Sequence, residues 1–245
     1  MFFSHPLLPV RFPSPLVPAR FLRRRQRFLA EVELPDGRRT WVHVPNSGAL
    51  TGCAAPGLEI LLTADGRPGR KTSHTWRFSR APGGWTCIDT LAPNRLVAAA
   101  LAGEGLPGVP RPLSFRPEAP LASEARLDFG GDLGGRLLFV EVKSVTWVED
   151  GVALFPDGVT SRGRRHLTEL AALAAQGHEV WQVFVVQRED ARLFRAAHRV
   201  DPAYARQLKQ TAANGLNILV ISEKVDPPHI TLASTLPFDL SFPSE

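Results

Sequence analysis

The chain has 245 residues, 44% of them hydrophobic, with a formal net charge of +5 and a mean hydropathy of −0.07. That is enough chain for one large domain or two small ones with a substantial core, and no run of about 18 uninterrupted apolar residues offers a membrane span. The two cysteines, Cys53 and Cys87, lie in no CxxC or Cys/His cluster of zinc spacing, which favours reduced thiols in a cytoplasmic protein over a disulfide.

Residues 1–20 read as a proline-rich tail. Pro6, Pro9, Pro13, Pro15 and Pro18 break its apolar stretch, which lacks the positive start of a signal peptide and suits a loosely ordered tail or an added strand. Residues 21–92 read as a basic β-barrel. Arg27 to Leu34 and Arg38 to Val44 alternate polar and apolar residues around the turn Pro35-Asp36-Gly37, Leu58 to Thr63 is a short apolar strand, and Thr75 to Arg80 and Trp85 to Asp89 flank Ala81-Pro82-Gly83-Gly84. Five or so short strands with turns between them predict a small barrel of the oligonucleotide-binding (OB) type.

Between Arg20 and Arg80 stand twelve Lys and Arg against five acids, a local charge of +7 within a chain whose total is +5. Such clustering is the electrostatic footprint of a polyanion binder, with Arg23, Arg24, Arg25, Arg27, Arg70 and Lys71 as candidate nucleic-acid contacts. Solvated surface arginine is the alternative. Trp41, Trp76, Phe78 and Trp85 could stack on bases, but aromatic residues of this kind more often fill a barrel core.

Residues 93–245 change pattern. A helix opened by Pro93 ends at Gly103, and the Pro/Gly-rich stretch from Gly105 to Pro120 reads as an irregular connection. Leu127-Asp128-Phe129 and Val140-Glu141-Val142-Lys143 then form two apolar strands joined by Gly130 to Gly135. If Gly134-Gly135 make the two-residue turn, paired positions sum to 269 and Asp128 lies opposite Glu141. Facing residues share a side with Cβ atoms about 5 Å apart, and period two adds Lys143 to it. Two carboxylates there suit Mg²⁺ or Mn²⁺, with the lysine beside an attacking water or a phosphate; a solvated strand face on which Glu141 and Lys143 pair with neighbours is the other reading.

Farther on, Thr160 or Ser161 caps a helix from about Arg162 to Gln176, Val180 to Val186 is a strand covered on both faces, and a helix from Asp201-Pro202 to Asn214-Gly215 leads to a strand over Leu216 to Ser222. The sum is a mixed sheet with right-handed crossovers. Arg162, Arg164, Arg165 and His166 crowd the first turn of the first of these helices, where cations oppose the dipole. Arg162, Arg165 and His166 are therefore further candidates for a phosphate, unless they simply face solvent. His43, His74 and His178 have no partner at ligand spacing and read as structural.

His43-Val44-Pro45-Asn46-Ser47-Gly48-Ala49-Leu50-Thr51-Gly52-Cys53, Arg126-Leu127-Asp128-Phe129, Val140-Glu141-Val142-Lys143-Ser144-Val145-Thr146 and the stretch from Phe155-Pro156-Asp157-Gly158 to His166-Leu167 resemble the bacterial sugar fermentation stimulation protein A family, in order from about Arg20 to Leu236. The resemblance implies an α+β protein: an OB-like barrel followed by a mixed-sheet domain of the restriction-endonuclease, PD-(D/E)XK type. It further implies a cytoplasmic, DNA-binding protein linked to regulation of sugar (maltose) utilisation. By position it makes Asp128 and Glu141 metal ligands and Lys143 the catalytic lysine.

Two functions follow as expectations. One is a DNA-binding protein, non-specific or of unknown sequence preference, that takes part in regulating sugar (maltose) metabolism and carries a nuclease-like metal site; the other is an active Mg²⁺-dependent DNA endonuclease or phosphodiesterase using Asp128, Glu141 and Lys143. A sugar-directed enzyme finds no Walker loop, no GxGxxG between strand and helix, and no GxSxG. Membrane association is not expected; an oligomer is compatible with the sequence.

Overall fold

A computed structural model describes residues 9–65, 71–121 and 126–241. A short strand β1 (Val10–Arg11) precedes the barrel strands β2 (Val17–Arg25), β3 (Leu29–Glu33), β4 (Arg39–His43), β5 (Glu59–Ala64) and β6 (His74–Ala81), with β7 (Gly84–Cys87) appended as a hairpin to β6. Order β4-β3-β2-β5-β6, closed by a parallel bridge between β4 and β6, is a five-stranded barrel with the predicted OB connectivity. Its inside is filled by Phe21, Ala30, Val32, Val42, Ile60, Leu62 and Trp76, the inward halves of strands that alternate as the sequence does. Trp76 and Phe78 are fully buried and Trp41 and Trp85 partly so, which places the first two in the core.

Helix α1 (Ala92–Ala102) follows, with Pro93 in its first turn and Gly103 at its end. Next come β8 (Ser114–Pro120), β9 (Arg126–Asp132), β10 (Leu137–Val145), β11 (Trp147–Glu149), β12 (Val152–Phe155), α2 (Ser161–Ala175), β13 (Glu179–Val186), β14 (Leu193–Ala196), α3 (Pro202–Ala213), β15 (Asn217–Asp226), β16 (His229–Thr235) and β17 (Phe238–Asp239). They build a mixed seven-stranded sheet, order β1-β16-β15-β13-β10-β9-β8, and a four-stranded sheet, β11-β12-β14-β17. β10, β13 and β15 run parallel in the centre, as near-continuous apolar runs covered on both faces should. One face lies beneath α2 and α3, and the other packs on α1 and on Phe78 and Cys87 of the barrel, so a single core joins the two halves.

Two segments carry more regular structure than the sequence reading assigned to them. The supposed irregular connection contains β8, which covers the far side of β9, so the acidic hairpin is not at the sheet edge. The proline-rich segment supplies β1 to the large sheet and the start of β2 to the barrel, and Phe12 is buried edge-on against Phe78 at 5.0 Å. Proline is tolerated in both β8 and β2 because strand ends and edges leave its missing N–H unneeded. No helix among the described residues is long and apolar enough to cross a membrane. Both thiols are free and buried, and burial pushes Cys53 up to about 11.

One ionisable group lies in the joint core. Glu223, at a register break in β15, is fully buried with neither carboxylate oxygen hydrogen-bonded among the described residues; burial raises its carboxyl from 4.5 to about 8, and its charge also acts on Cys87 of β7. Because the folded value lies above the unfolded one, the stability that Glu223 contributes is complete below about 4.5 and is lost as pH rises through about 8. Thermal unfolding of Glu223→Gln should therefore show a stability advantage over the wild type that grows from pH 5 to pH 8. A difference independent of pH would contradict the burial argument.

Candidate functional site

The β9–β10 ladder has the predicted register: Leu137 pairs with Asp132, Leu138 with Gly131, Phe139 with Gly130 and Val140 with Phe129, each summing to 269 around Gly134 and Gly135. Both turn glycines have positive φ, 74° and 121°, which side chains rarely adopt. After Val140 and Phe129 the ladder stops and side chains take over. Asp128 Oδ2 accepts from the Val142 N–H at 2.8 Å, and the Asp128 N–H donates to Glu141 Oε2 at 3.3 Å.

Around this point four elements converge. Asn94, in the first turn of α1, donates to Asp128 Oδ1 at 2.7 Å. Lys143 Nζ donates to Glu141 Oε1 at 2.6 Å, and the Nδ1 of His166 from α2 bonds the same oxygen. Gln182 of β13, opposite Glu141 in the parallel register, donates to the Glu141 carbonyl at 2.9 Å. Glu141 is only 3% exposed. Burial would raise its carboxyl, but the Lys143 ammonium and the His166 hydrogen bond outweigh burial and hold it below the usual range. Asp128 moves the other way: burial first, then the negative charge of Glu141, raise it above its usual value.

The carboxylates and Lys143 face a cleft of about 1050 Å³ between the barrel and the mixed-sheet domain. Arg24, Gln26, Arg27 and Asn46 to Ala49 form its barrel side; Phe155 to Gly163 form the lip leading into α2. Asp157 ties the lip to the barrel by accepting from the Leu50 N–H at 3.0 Å. Gly48 leaves the necessary room, since a Cβ there would meet Asp157 Oδ2 at 2.7 Å. Arg24 spans the barrel side, donating to the carbonyls of Gly48 at 2.6 Å and Asn46 at 2.9 Å, and to that of Arg27.

These contacts sort the candidates. Asp128, Glu141 and Lys143 come together. His166, 2% exposed, is turned inward onto Glu141, whereas Arg24 lines the cleft with three of its guanidinium N–H groups bonded to carbonyls. Arg162 lines the cleft, with Nε 3.4 Å from His166 Nε2, while the exposed Arg165 does not line it. Arg27 lines the cleft, Arg25 and Lys71 are exposed, Arg23 is exposed and paired with Glu31 at 2.6 Å, and Arg70 lies outside the described residues. Thr160 is the α2 cap, accepting from the Gly163 N–H, and Arg164 pairs with Asp201. The sequence reading missed Asn94, Gln182 and Asp157. Asn94 carried a faint signal as a polar residue in the first turn of an otherwise apolar helix, Asp157 lay within a stretch quoted for the family resemblance, and Gln182 carried none.

Two family models match the chain: the N-terminal OB domain of the SfsA family over residues 22–88, and the sugar fermentation stimulation protein RE domain over residues 91–229. A sugar fermentation stimulation protein homolog of Citrifermentans bemidjiense is 40% identical over 230 residues, 93% of this chain and 99% of its own. One from Ruegeria pomeroyi is 40% identical over 232 residues, 93% of this chain and 100% of its own. A solved structure described as Pyrococcus furiosus SfsA in complex with Ca²⁺ superposes with a TM-score of 0.84 at 28% identity, covering 96% of this chain and all of its own.

The raised carboxyl has a measurable consequence. Its stabilising contribution is full below the ordinary value of 3.8 and is lost as pH rises through the higher folded value, so at neutral pH the Asp128 charge burdens the fold. Asp128→Asn, which can still accept from the Val142 N–H, is expected to raise the unfolding temperature at pH 7 in the absence of divalent cations. A lower temperature would mean that the charge is not crowded.

Proposed function

The chain belongs to the sugar fermentation stimulation protein family, and from that premise we propose that its interdomain cleft is a divalent-cation-dependent phosphodiester-cleaving centre acting on DNA. The observation that carries this reading is the meeting of Asp128, Glu141 and Lys143 where the β9–β10 ladder gives way to side chains. Oxygen-only donors suit a hard cation, and Mg²⁺ is commonly held by one or two carboxylates with the remaining positions left to water and phosphate. The raised carboxyl of Asp128 supports the fit, since like-charge crowding is what a cation relieves. The Ca²⁺ in the description of the archaeal relative is consistent with it.

Asp128 and Glu141 would hold the ion. Bound there, Mg²⁺ or Mn²⁺ would polarise a phosphoryl oxygen and lower the pKa of a coordinated water. Lys143, 2.6 Å from Glu141 Oε1, is placed to orient the attacking water or to offset charge building on the phosphate. His166 fixes the rotamer of Glu141 from behind, and Asn94 does the same for Asp128. Arg27 and Arg162, on opposite sides of the cleft, are cations available to the flanking phosphates.

A second reading, DNA binding without cutting in a regulator of sugar utilisation, has one observation in its favour. Each of the four carboxylate oxygens already accepts a hydrogen bond from within the protein. Nicking of supercoiled plasmid by purified protein with Mg²⁺ or Mn²⁺ separates the two. The wild type is expected to cut, and Asp128→Ala and Lys143→Ala to be slower by about 100-fold or more. Equal rates in wild type and variants would sink the cleavage reading. Binding in either case should weaken steeply with salt, log K falling against log[salt] by about 0.9 for each phosphate contacted on duplex DNA.

A further inference from the structure

We infer that the turn between β2 and β3 is a base-stacking step that feeds single-stranded nucleic acid into the cleft, so that the substrate of the proposed centre is an unpaired strand. The inference rests on that proposed reading for its direction but on a separate set of residues for its support. Phe28 is 52% exposed, although burying a phenylalanine side chain is favourable. Its ring lies over His43 of β4, centroids 6.5 Å apart and planes 20° from parallel. The turn that holds it is fixed at both neighbouring carbonyls: Arg24 donates to that of Arg27, and the Val44 N–H to that of Phe28 at 2.9 Å. Gln26 takes a positive φ of 60° to make this turn, a conformation with a backbone cost for a residue other than glycine. A large aromatic ring thus stands in solvent on a turn whose backbone is hydrogen-bonded in place.

Its surroundings match one class of ligand. In the barrel register Arg25, Leu29 and His43 stand in one row, and Arg23, Glu31 and Trp41 in the next row of the same face, with the Arg23 guanidinium 5.8 Å from the Trp41 ring. Arg27, adjacent to Phe28, already lines the cleft. Two more exposed apolar side chains line that cleft, Leu91 at 60% and Val159 at 73%. Thus, of the six large hydrophobic residues exposed among the described residues, two lie in the cleft and a third beside it. Duplex DNA offers a protein phosphates and groove edges. Unpaired bases offer flat apolar faces, and aromatic rings interleaved with arginines are what bind them without regard to sequence. An unphosphorylated peptide would leave the arginine rows without phosphates to meet, and a phospholipid surface offers phosphates but no flat bases for the ring to stack on.

The test is fluorescence anisotropy with the full chain in EDTA, so that no cleavage intervenes, using a labelled oligothymidylate, an abasic oligomer of the same number of phosphates, and a duplex. The wild type is expected to bind oligothymidylate more tightly than the other two. Phe28→Ala should weaken oligothymidylate binding by about tenfold while changing duplex and abasic binding less than about twofold. Phe28→Leu, which keeps apolar bulk and guards against a folding defect, should behave as Phe28→Ala does, and Phe28→Trp should restore tight binding. Preference of the wild type for the duplex, no binding to the single strand, or a loss shared equally by all three probes would overturn the inference. None of those results bears on whether Asp128 and Lys143 support cutting, so the two readings fail separately.

Discussion

Two carboxylates share a small volume at the wall of the cleft where the partly buried Asp128 meets the buried Glu141, and most of the architecture around them answers that repulsion. Coulomb energy between like charges grows as water is removed, so such a pair survives only if protons, cations or oriented dipoles surround it. The fold supplies them unequally. Glu141 takes an ammonium and an imidazole and sits below its usual range, whereas Asp128 takes an amide and a backbone N–H and is driven upward. The pair is thus split into a firmly ionised member and a crowded one, an environment in which a cation has something to gain by arriving.

Each partner comes from a different element, which explains why the centre needs the whole fold. Lys143 arrives by period two on β10, Gln182 by the parallel register of β13, Asn94 by the proline-opened α1, and His166 one helical turn into α2. The barrel closes the remaining side. Arg24 uses its guanidinium to gather three carbonyls of the facing loops, and the Asp157 carboxylate reaches across to the Leu50 N–H. Orienting the barrel in this way is a positioning function, since the carbonyls of Arg27, Asn46 and Gly48 all belong to residues that line the cleft.

How much of this was readable follows from the physics of each segment. The β9–β10 register was legible because a two-residue glycine turn and a period of two leave little freedom, and they put Asp128, Glu141 and Lys143 on one face. The parallel core strands announced themselves by composition. The strands β1, β8 and β16 did not: β1 pairs with β16 at the other end of the chain, and β8 and β16, although paired with their sequence neighbours β9 and β15, carry prolines or polar residues that interrupt their pattern. Charge counting did not show how Arg24 and His166 are oriented for a related reason: it registers that a residue is basic but not which way it turns. In β2 alternation turns Arg24 off the face shared by Arg23 and Arg25, and in α2 the four-residue spacing sets His166 behind Arg162.

The central claim is that Asp128 and Glu141 together form a cation site. Anomalous diffraction from crystals soaked in Mn²⁺ tests it most directly. The account predicts one strong peak coordinated by oxygens of both carboxylates beside Lys143, and loss of that peak in Asp128→Ala. A peak elsewhere, or none with the cleft open to solvent, would contradict it.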